Sequence, residues 1–566
     1  MKVQICNVAI EFCYLFTLNF YTMKYLKLLF LSLFILISAD GFAKPKNQNI
    51  EVFIKVWGFL KYHHPNVAGG TINWDSVFVA HIDKIIVAKN SKGLNAEMAE
   101  LIAAAGQDKN MEVAPPTGDI FTTNHDLGWL EHSTLLSQSN KSRLLYIFTH
   151  RNRGNNRFVK SINQTDYSGE NTYEQMIWPT AEYRLLFLAR FWNAINYYDP
   201  YKFITAENWN RVLTRFIPKV QLVKDTTAYH KILLQLAVEL HDGHAQLWGR
   251  DDIWGKYWLP FYITVLHDTV VITHTNGGGG IRQGDLLVAI NNEPIAKRMA
   301  RFKQYTTSSN LPSLNRHLEQ LLLSTPDTAQ QVTIKRGAKT FTIRVSNMLI
   351  TQRNWQYINN YTANDKGYEM IGKSIIRVYT DQNWGKNVDT IKALMRTKKA
   401  IIFDARSYMD NDAFYNIFDM FLPGPTPINY DTKIMPDEPG YFKWVLSPKM
   451  GGVNPQPYSG TVIILADERC QSQGEYTVMT LQIIPHAVTI GSQTDGLDGA
   501  DSYFPMGGGM SISHSGYGIY YPDKTPTQQR GVRIDIEVKK TVENVIKDED
   551  VAMEEALRYL KSKGLD

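Results

Sequence analysis

The sequence predicts a multidomain α/β protein with a helical N-terminal region, a small β domain and a parallel α/β core. Three patterns predict this fold. Aromatic and aliphatic residues recur at helical spacing near the N-terminus, short β-prone runs alternate with Gly-rich turns in the middle, and continuous apolar runs occur in the last third. The chain has 566 residues, of which 44% are hydrophobic. This length allows about three or four domains, each with its own core.

A signal peptide is predicted over residues 1–43. An apolar run from Leu26 to Ser38 follows Lys24 and precedes the small residues Gly41 and Ala43. The run has the length of a signal-peptide core and is short for a membrane span. We therefore expect an exported protein, in the periplasm, at the cell surface or outside the cell, with no membrane partner after cleavage. An uncleaved N-terminal anchor is the alternative.

Charge and cysteine content limit the partners and crosslinks. The chain has 60 Lys and Arg against 55 Asp and Glu, and no basic run is longer than a pair, so we expect no nucleic-acid partner. Of the three cysteines, Cys6 and Cys13 precede the predicted cleavage site. The exported chain would therefore hold Cys470 alone and no intramolecular disulfide.

A helical unit is predicted to occur twice in the N-terminal region. The segment from Trp57 to Pro65 is matched by the segment from Trp192 to Pro200, 135 residues later, and Trp74 falls on Trp209 at the same offset. Between the repeats we expect a small α+β insertion with a strand-like piece at Leu144–His150. We assign these helices to core packing rather than to chemistry.

Strands are predicted in both of the later regions. Phe261–Val265 and Leu286–Ile290 are β-prone runs bounded by Gly-rich turns. In the last third, Lys399–Asp404 and Thr461–Ala466 are continuous apolar runs, typical of parallel strands that are covered on both faces. Glu475–Ile484 has the length and apolar spacing of a crossover helix.

Ser472 is the candidate nucleophile. It follows a predicted strand and lies near the N-terminus of the next helix. There, free N–H groups and the helix dipole stabilise an oxyanion. The alternative is structural, because Ser472-x-x-Glu475 also fits a helix capping box. Cys470 is a competing nucleophile, although a buried cysteine more often serves as core filler.

His244 is the candidate base for a serine nucleophile. It follows a predicted helix end at Asp242-Gly243, where a turn can project it towards a neighbouring domain. A solvated surface histidine is the alternative. His241, Asp242 and His244 are also metal-ligand types, but no fourth ligand at a convincing spacing accompanies them, so we expect no metal.

Five short motifs follow one another from Trp192 onwards. They are Leu240-x-Asp-Gly-His244, Gly284 to Asn291, Ile402-Phe-Asp404-Ala-Arg406, Ser472-x-x-Glu475 and Gly531 to Val538. In this order they resemble the C-terminal-processing and tricorn-like serine peptidases, also called tail-specific proteases. The resemblance implies a ClpP/crotonase-like α/β catalytic core with a PDZ-like domain before it, Ser472 as the nucleophile, and no bound cofactor.

The run from Gly284 to Asn291 resembles the core of a PDZ domain. In such domains a peptide adds as a strand to an exposed sheet edge, and backbone N–H groups hold its C-terminal carboxylate. The resemblance therefore implies a peptide or unfolded protein as substrate. We place Gly284 and Leu286 in the predicted peptide-binding site.

Departures from the family pattern favour a Ser–His mechanism. Leu497 stands where the processing peptidases have a catalytic lysine, so a Ser–Lys dyad is not expected. The tricorn-like branch instead uses a histidine from the segment before the PDZ-like domain, which His244 resembles in placement.

The orienting acid is less well defined by the resemblance. The tricorn-like branch has a hydroxyl residue before the histidine and a Glu near the C-terminal block, where this chain has Gly243 and Gln528. Asp498 is therefore our candidate acid, and Asp242 is a second one.

The resemblance also implies two oxyanion donors. These are the backbone N–H of Gln473 and that of Asp410, which lies where the family has a Gly-Gly pair. A backbone N–H does not require glycine, so Asp410 remains a candidate.

The predicted function is an exported serine peptidase that hydrolyses peptide bonds in unfolded or C-terminal segments. The predicted division is a signal peptide (1–43), a first helical repeat with the insertion (44–175), a second helical repeat (176–254), a PDZ-like domain (255–347) and a peptidase core (348–566). One alternative is a catalytically inactive peptide- or polymer-binding protein on the same scaffold. A cysteine hydrolase that uses Cys470 is the other.

Overall fold

The computed structural model describes most of the chain after the predicted signal peptide. The described residues are 47–107, 111–205, 207–250, 253–276, 279–354, 364–380, 384–407 and 412–565. The predicted signal peptide and Asp410 lie outside these ranges. No helix in the described ranges combines the length and the apolarity of a membrane span.

Helices form most of the N-terminal region, as the sequence predicts. They are α1 (47–63), α2 (Pro65–Ala68), α3 (Trp74–Val87), α4 (Ser91–Ala104), α5 (Gly128–Glu131), α6 (Gln138–Thr149), α7 (Ala181–Tyr198), a 3-10 turn (Lys202–Ile204), α8 (Trp209–Leu222) and α9 (Thr226–Val238). Short strands accompany them: β1 (Ile120–Phe121), β2 (Lys160–Ser161), β3 (Thr165–Asp166) and β4 (Leu247–Trp248). The prediction of a strand-like piece at Leu144–His150 is wrong. Most of it belongs to α6, where Leu144 and Ile147 bury one helix face.

The two predicted repeats share one buried contact. In the first repeat, the indole N–H of Trp57 donates to the carbonyl of Trp74, and that of Trp74 donates to the carbonyl of Trp57, both at 3.0 Å. In the second, Trp192 and Trp209 exchange the same bonds at 2.9 and 3.0 Å. All four side chains are buried. The duplication is therefore visible as the same reciprocal hydrogen-bond pair in both halves.

The middle region is an antiparallel sheet with two helices. Its elements are β5 (Tyr257–Trp258), β6 (Phe261–Leu266), β7 (Thr269–Thr275), β8 (Leu286–Ile290), β9 (Glu293–Pro294), α10 (Ile295–Lys303), α11 (Leu311–Leu323), β10 (Ser324–Thr325), β11 (Ala329–Arg336), β12 (Lys339–Ser346) and β13 (Met348–Leu349). The strand order is β12-β11-β8-β7-β6, with β9 paired to β8. β6 forms one edge of this sheet, and α11 packs against it. Both predicted strands of this region are confirmed.

The C-terminal region is built on a largely parallel sheet. Its strands are β14 (Tyr368–Ile371), β15 (Ile375–Tyr379), β16 (Ala400–Asp404), β17 (Thr426–Pro427), β18 (Tyr430–Ile434), β19 (Phe442–Leu446), β20 (Lys449–Met450), β21 (Thr461–Ala466), β22 (Val488–Gly491), β23 (Asp501–Gly507), β24 (Met510–Ser515), β25 (Gly518–Tyr520) and β26 (Ile536–Glu537). Its helices are α12 (Trp384–Arg396), a 3-10 segment (Asp412–Ile417), α13 (Phe418–Phe421), α14 (Gln473–Gln482), α15 (Val542–Lys547) and α16 (Val551–Ser562). In the order β14-β15-β16-β21-β22-β26, every pair except β14-β15 is parallel.

Apolar clusters lie on both faces of the parallel sheet. One contains Ile391 of α12 and Val478 of α14 together with Ile401 of β16. The other contains Ala556 of α16 together with Ile402 of β16. Neighbouring residues of β16 thus face opposite clusters. The continuous apolar runs of the sequence are explained by this two-sided burial, and the predicted multidomain α/β class is confirmed.

Removing one indole N–H from a repeat is expected to destabilise the N-terminal region. Trp209→Phe deletes the donor to the Trp192 carbonyl and part of a buried ring. The free energy of unfolding should therefore fall by about 1–3 kcal/mol. Urea unfolding followed by circular dichroism measures this change. Trp178→Phe is the matched control, because the Trp178 side chain is 42% exposed. Its effect should stay within about 0.5 kcal/mol, and equal losses in the two variants would contradict the role of the reciprocal pair.

Candidate active site

Strand β4 brings the segment that carries His244 against the C-terminal region. β4 pairs antiparallel with β24, with Leu247 opposite Ile512 and Trp248 opposite Ser511. This pairing places His244, which lies three residues before β4, beside the end of β24. A residue of the N-terminal region thereby reaches the C-terminal core.

Ser472 occupies a strained turn between β21 and α14. Its φ of +50° and ψ of −118° lie in a region that is disfavoured for residues with a Cβ. Ser472 is the N-cap residue of α14, but its side chain makes no capping hydrogen bond. The capping-box alternative is therefore wrong. A hydroxyl at a sharp strand-to-helix turn has the placement of an enzyme nucleophile.

Glu475 braces the loop that holds Ser472. Its carboxyl group accepts hydrogen bonds from Thr494 Oγ1, from the Gly496 N–H at 2.8 Å and from the Leu497 N–H at 2.8 Å. The carbonyl of Leu497 in turn accepts the N–H of Ser472 at 2.8 Å. Burial raises the pKa of Glu475 well above its ordinary value. Glu475 is thus used to fix the backbone around Ser472.

Leu497 lies between the two candidate segments. A Cβ added to Gly243 would lie only 2.2 Å from Leu497 Cδ2, so the leucine side chain packs directly on the residue before His244. Leu497 also binds the Ser472 N–H through its carbonyl. The segments of Ser472 and His244 therefore border the same residue.

The ring of His244 is held by Ser515 and flanked by two carboxylates. Nδ1 lies 3.1 Å from Ser515 Oγ and 3.9 Å from Asp242 Oδ1, and Nε2 lies 3.6 Å from Asp501 Oδ1. When Nδ1–H donates to Ser515, Nε2 carries the lone pair that a general base needs. Within the described ranges, no hydrogen bond joins His244 to Ser472.

Asp242 is fixed by three donors. Its Oδ1 accepts the His244 N–H at 2.9 Å and the Gln528 side-chain amide at 3.0 Å, and its Oδ2 accepts the Ser515 N–H at 2.8 Å. An amide at position 528 can donate to this carboxylate, whereas an acid there would repel it. Asp242 is thereby held beside Nδ1 of His244.

Asp498, the predicted orienting acid, does not contact the His244 ring. Its Oδ1 accepts the N–H of Gly499 at 2.9 Å. The carboxyl group is thus bound to the backbone of its own loop. Burial raises the pKa of Asp498 to about 8. Asp242 and Asp501 replace Asp498 as the acids at the ring.

Sequence reasoning missed Ser515 and Asp501. β23 and β24 form a hairpin in which these two residues pair directly, around three successive glycines at 507–509. The glycines indicate a turn. A single sequence does not indicate which hairpin residue faces His244. The sequence did point to Gln528, because this residue lies nearest to the position where the tricorn-like branch has a Glu.

The structure bears differently on the two predicted oxyanion donors and on Cys470. Gln473 begins α14, and its N–H has no acceptor within the described ranges, so it is free to bind an oxyanion. Asp410 lies outside the described residues. Cys470 is buried, its Sγ donates to the carbonyl of Ala405 at 3.2 Å, and burial raises its pKa well above the ordinary value. A protonated, buried thiol is a poor nucleophile, which argues against the cysteine hydrolase.

Gly284 and Leu286 lie on the inner part of the β domain. The Gly284 N–H donates to the carbonyl of Ile272 at 2.8 Å, and Leu286 pairs with Val271 of β7 and Lys335 of β11. A strand with partners on both sides cannot accept a further strand. Leu286 therefore does not lie at an edge of this sheet, whose edge strands are β6 and β12.

Stability is expected to fall as the pH rises towards 8, and Asp498→Asn should remove part of this fall. Burial raises the pKa of Asp498 from 3.8 to about 8. Between these values the folded chain keeps a proton that the unfolded chain has lost. The stabilisation is therefore complete below the lower value and disappears as the pH rises through the higher one, by at most about 1.4 kcal/mol per pH unit.

Asparagine keeps the acceptor for the Gly499 N–H and cannot titrate. The free energy of unfolding of Asp498→Asn should therefore depend less on pH than that of the parent protein. Denaturant unfolding of both proteins from about pH 5 to about pH 9 measures the two slopes. Identical slopes would contradict the raised pKa of Asp498.

Comparison with known proteins supports the predicted resemblance. Residues 343–538 match the model of Peptidase family S41. No curated protein matches the chain. Mature CPAF complexed with lactacystin shares 14% identity at a TM-score of 0.53, over 67% of this chain and 98% of that chain. The photosystem II D1 C-terminal processing protease shares 15% identity at a TM-score of 0.37, over 65% of this chain and 98% of that chain. The CPAF likeness shows a shared fold, and residues 343–538 are similar to peptidase family S41, in agreement with the resemblance of the motifs.

Proposed function

We propose that this protein is an exported serine peptidase that hydrolyses peptide bonds in unfolded or C-terminal segments by a Ser–His mechanism. Export rests on the predicted signal peptide. The observation that carries the mechanism is the turn at Ser472, where a strained backbone presents a hydroxyl at the N-terminus of α14. Strain of this kind is typical of functional sites, because the surrounding structure must hold it in place.

In the first step, Ser472 Oγ attacks a peptide carbonyl and its proton passes to Nε2 of His244. The mechanism uses the tautomer in which Nδ1–H donates to Ser515 Oγ, because the lone pair then lies on Nε2. The reaction requires Nε2 to come within about 3 Å of Ser472 Oγ. Both segments border Leu497, Ser472 through its N–H and His244 through the preceding Gly243.

The resulting imidazolium lies between two acids. Asp242 is 3.9 Å from Nδ1, and Asp501 is 3.6 Å from Nε2. Carboxylates at this distance stabilise the charged ring. Ser515 keeps the ring in one orientation through its hydrogen bond. This arrangement supplies the role that Asp498 was predicted to have.

The oxyanion would bind the N–H of Gln473. Because this group is the first N–H of α14, the positive end of the helix dipole adds to its effect. One such donor is typically worth about 10²- to 10³-fold in rate. The protonated His244 then gives its proton to the leaving amine, and water hydrolyses the acyl-enzyme by the same route.

Replacing Ser472 is expected to abolish peptide hydrolysis. Ser472→Ala removes the nucleophile and no hydrogen bond of the fold, so its melting temperature should change little. Hydrolysis of casein and labelling by a fluorophosphonate probe should both be lost. Ser562→Ala, in the last turn of α16, is the matched control and should keep both. Full activity in Ser472→Ala would refute the nucleophile.

Replacing Ser515 is expected to slow the reaction without weakening substrate binding. Ser515→Ala deletes the acceptor for Nδ1–H of His244, so kcat should fall about tenfold while KM changes little. Loss of this acceptor should also alter the acid limb of the kcat/KM pH profile, because it changes the proton affinity of the ring. His244→Gln should remove activity altogether. An unchanged pH profile in Ser515→Ala would contradict the positioning role.

A catalytically inactive peptide- or polymer-binding protein is the second candidate. It is favoured by one observation, that no hydrogen bond joins His244 to Ser472 in the described ranges. The fluorophosphonate probe separates the two candidates, because only a serine activated by a base reacts with it. Labelling of the parent protein, lost in His244→Gln, supports the peptidase, and absence of labelling supports the inactive protein.

A further inference from the structure

A side chain of the β domain occupies one edge of its own sheet, at strand β6. Glu319, on α11, places Oε1 2.8 Å from the N–H nitrogen of Val265 and 3.0 Å from Thr264 Oγ1. Val265 belongs to β6, which pairs with β7 on one side only. Oε1 therefore stands where the carbonyl oxygen of an added peptide strand would bind this N–H.

A cavity of about 310 Å³ lies along this edge. β6 and α11 form one side of it, through Val265, Leu311 and Glu319. The C-terminal core forms the other side, through Glu468 and Arg469. Both core residues belong to the turn that leads from β21 to Ser472. The cavity therefore lies between the edge of β6 and the C-terminal core, and an extended peptide there would run beside the core.

The same helix contacts the loop around Ser472. Arg316 lies one turn before Glu319 on α11, and its guanidinium donates to Gln471 Oε1 and, at 2.8 Å, to Asp495 Oδ2. Gln471 precedes Ser472 directly. One face of α11 thus contacts both the sheet edge and the proposed nucleophile turn.

The carboxyl group of Glu319 is suited to being displaced. Burial raises its pKa to about 8, with a further contribution from Glu468 of the core, while Arg316 and the donors on β6 act in the opposite direction. A neutral carboxyl is held by hydrogen bonds alone. Its removal from Val265 therefore does not require moving a buried charge.

We propose that Glu319 is a built-in competitor for the edge of β6, so that an extended peptide segment binds there by displacing the Glu319 side chain from Val265. The inference rests on the proposed function only in taking the peptide as substrate. Binding at the edge precedes hydrolysis and can be measured without it.

The test measures peptide binding to the full chain in a Ser472→Ala background, so that failure of the proposed peptidase activity leaves the outcome readable. The probe is a short fluorescein-labelled peptide of alternating valine and serine, followed by fluorescence anisotropy. Adding Glu319→Ala frees the Val265 N–H and should lower Kd about tenfold. Glu319→Gln keeps a neutral acceptor at the same place and should bind like the Ser472→Ala parent. Asn315→Ala, on the same helix and cavity, is the matched control.

Two further measurements establish the binding mode. The same peptide with N-methyl groups on alternate residues cannot form the main-chain hydrogen bonds of a sheet. Its Kd should therefore not be lowered by Glu319→Ala. Amide exchange of residues 261–266 should slow when the unmethylated peptide binds. Kd values that are equal in Glu319→Ala and its parent, or a gain that survives N-methylation, would overturn the proposal.

A milder variant covers the case in which Glu319→Ala does not fold. Thr264→Val removes one of the two donors that hold Glu319 and leaves the Val265 N–H in place. It should lower Kd about threefold in the same assay. An unchanged Kd in a folded Thr264→Val protein would count against the proposal in the same way.

Discussion

The geometry of the site depends on one buried carboxyl group. Glu475 gathers the side chain of Thr494 and two backbone N–H groups of the loop at 494–497, and that loop returns a carbonyl to the N–H of Ser472. A non-glycine residue at a φ of +50° costs about 1–3 kcal/mol and persists only where its surroundings hold it. The hydrogen bonds around Glu475 provide this constraint and leave the Ser472 hydroxyl outside the network.

The second constraint is strand pairing between distant parts of the chain. β4 follows the helical repeats, yet it completes a sheet with β23 and β24 of the C-terminal region. This pairing delivers His244 to the core, and the hairpin supplies Ser515 and Asp501 to its ring. The candidate base is thus positioned by a contact between regions rather than by its own loop. Disrupting the N-terminal region should therefore affect the site, even though none of its helices within the described ranges contributes a reacting group.

Most of the fold could be predicted because burial leaves a local pattern. Two-sided burial gives the continuous apolar run Thr461–Ala466, and its end places Ser472 before a helix. The prediction at Leu144–His150 was wrong because a short run of mixed polarity fits both a strand and an amphipathic helix. The acids at His244 could not be predicted, since Asp501 reaches the ring through a hairpin register that no local pattern encodes. Likewise, only the strand order shows that Leu286 lies on an inner strand.

Two departures from the family pattern, at Leu497 and Gly243, are explained by the packing of these two residues against each other. By the family resemblance Leu497 stands at the lysine position, and its side chain packs where a Cβ at position 243 would lie. A side chain at position 243 would require Leu497 to shift, which favours glycine before His244. Ser515, from the opposite strand, supplies a hydroxyl to the ring instead. A lysine at position 497 would bury its amine against Gly243, because Leu497 is only 2% exposed. Burying an amine there would be costly, which favours histidine over lysine as the proposed base.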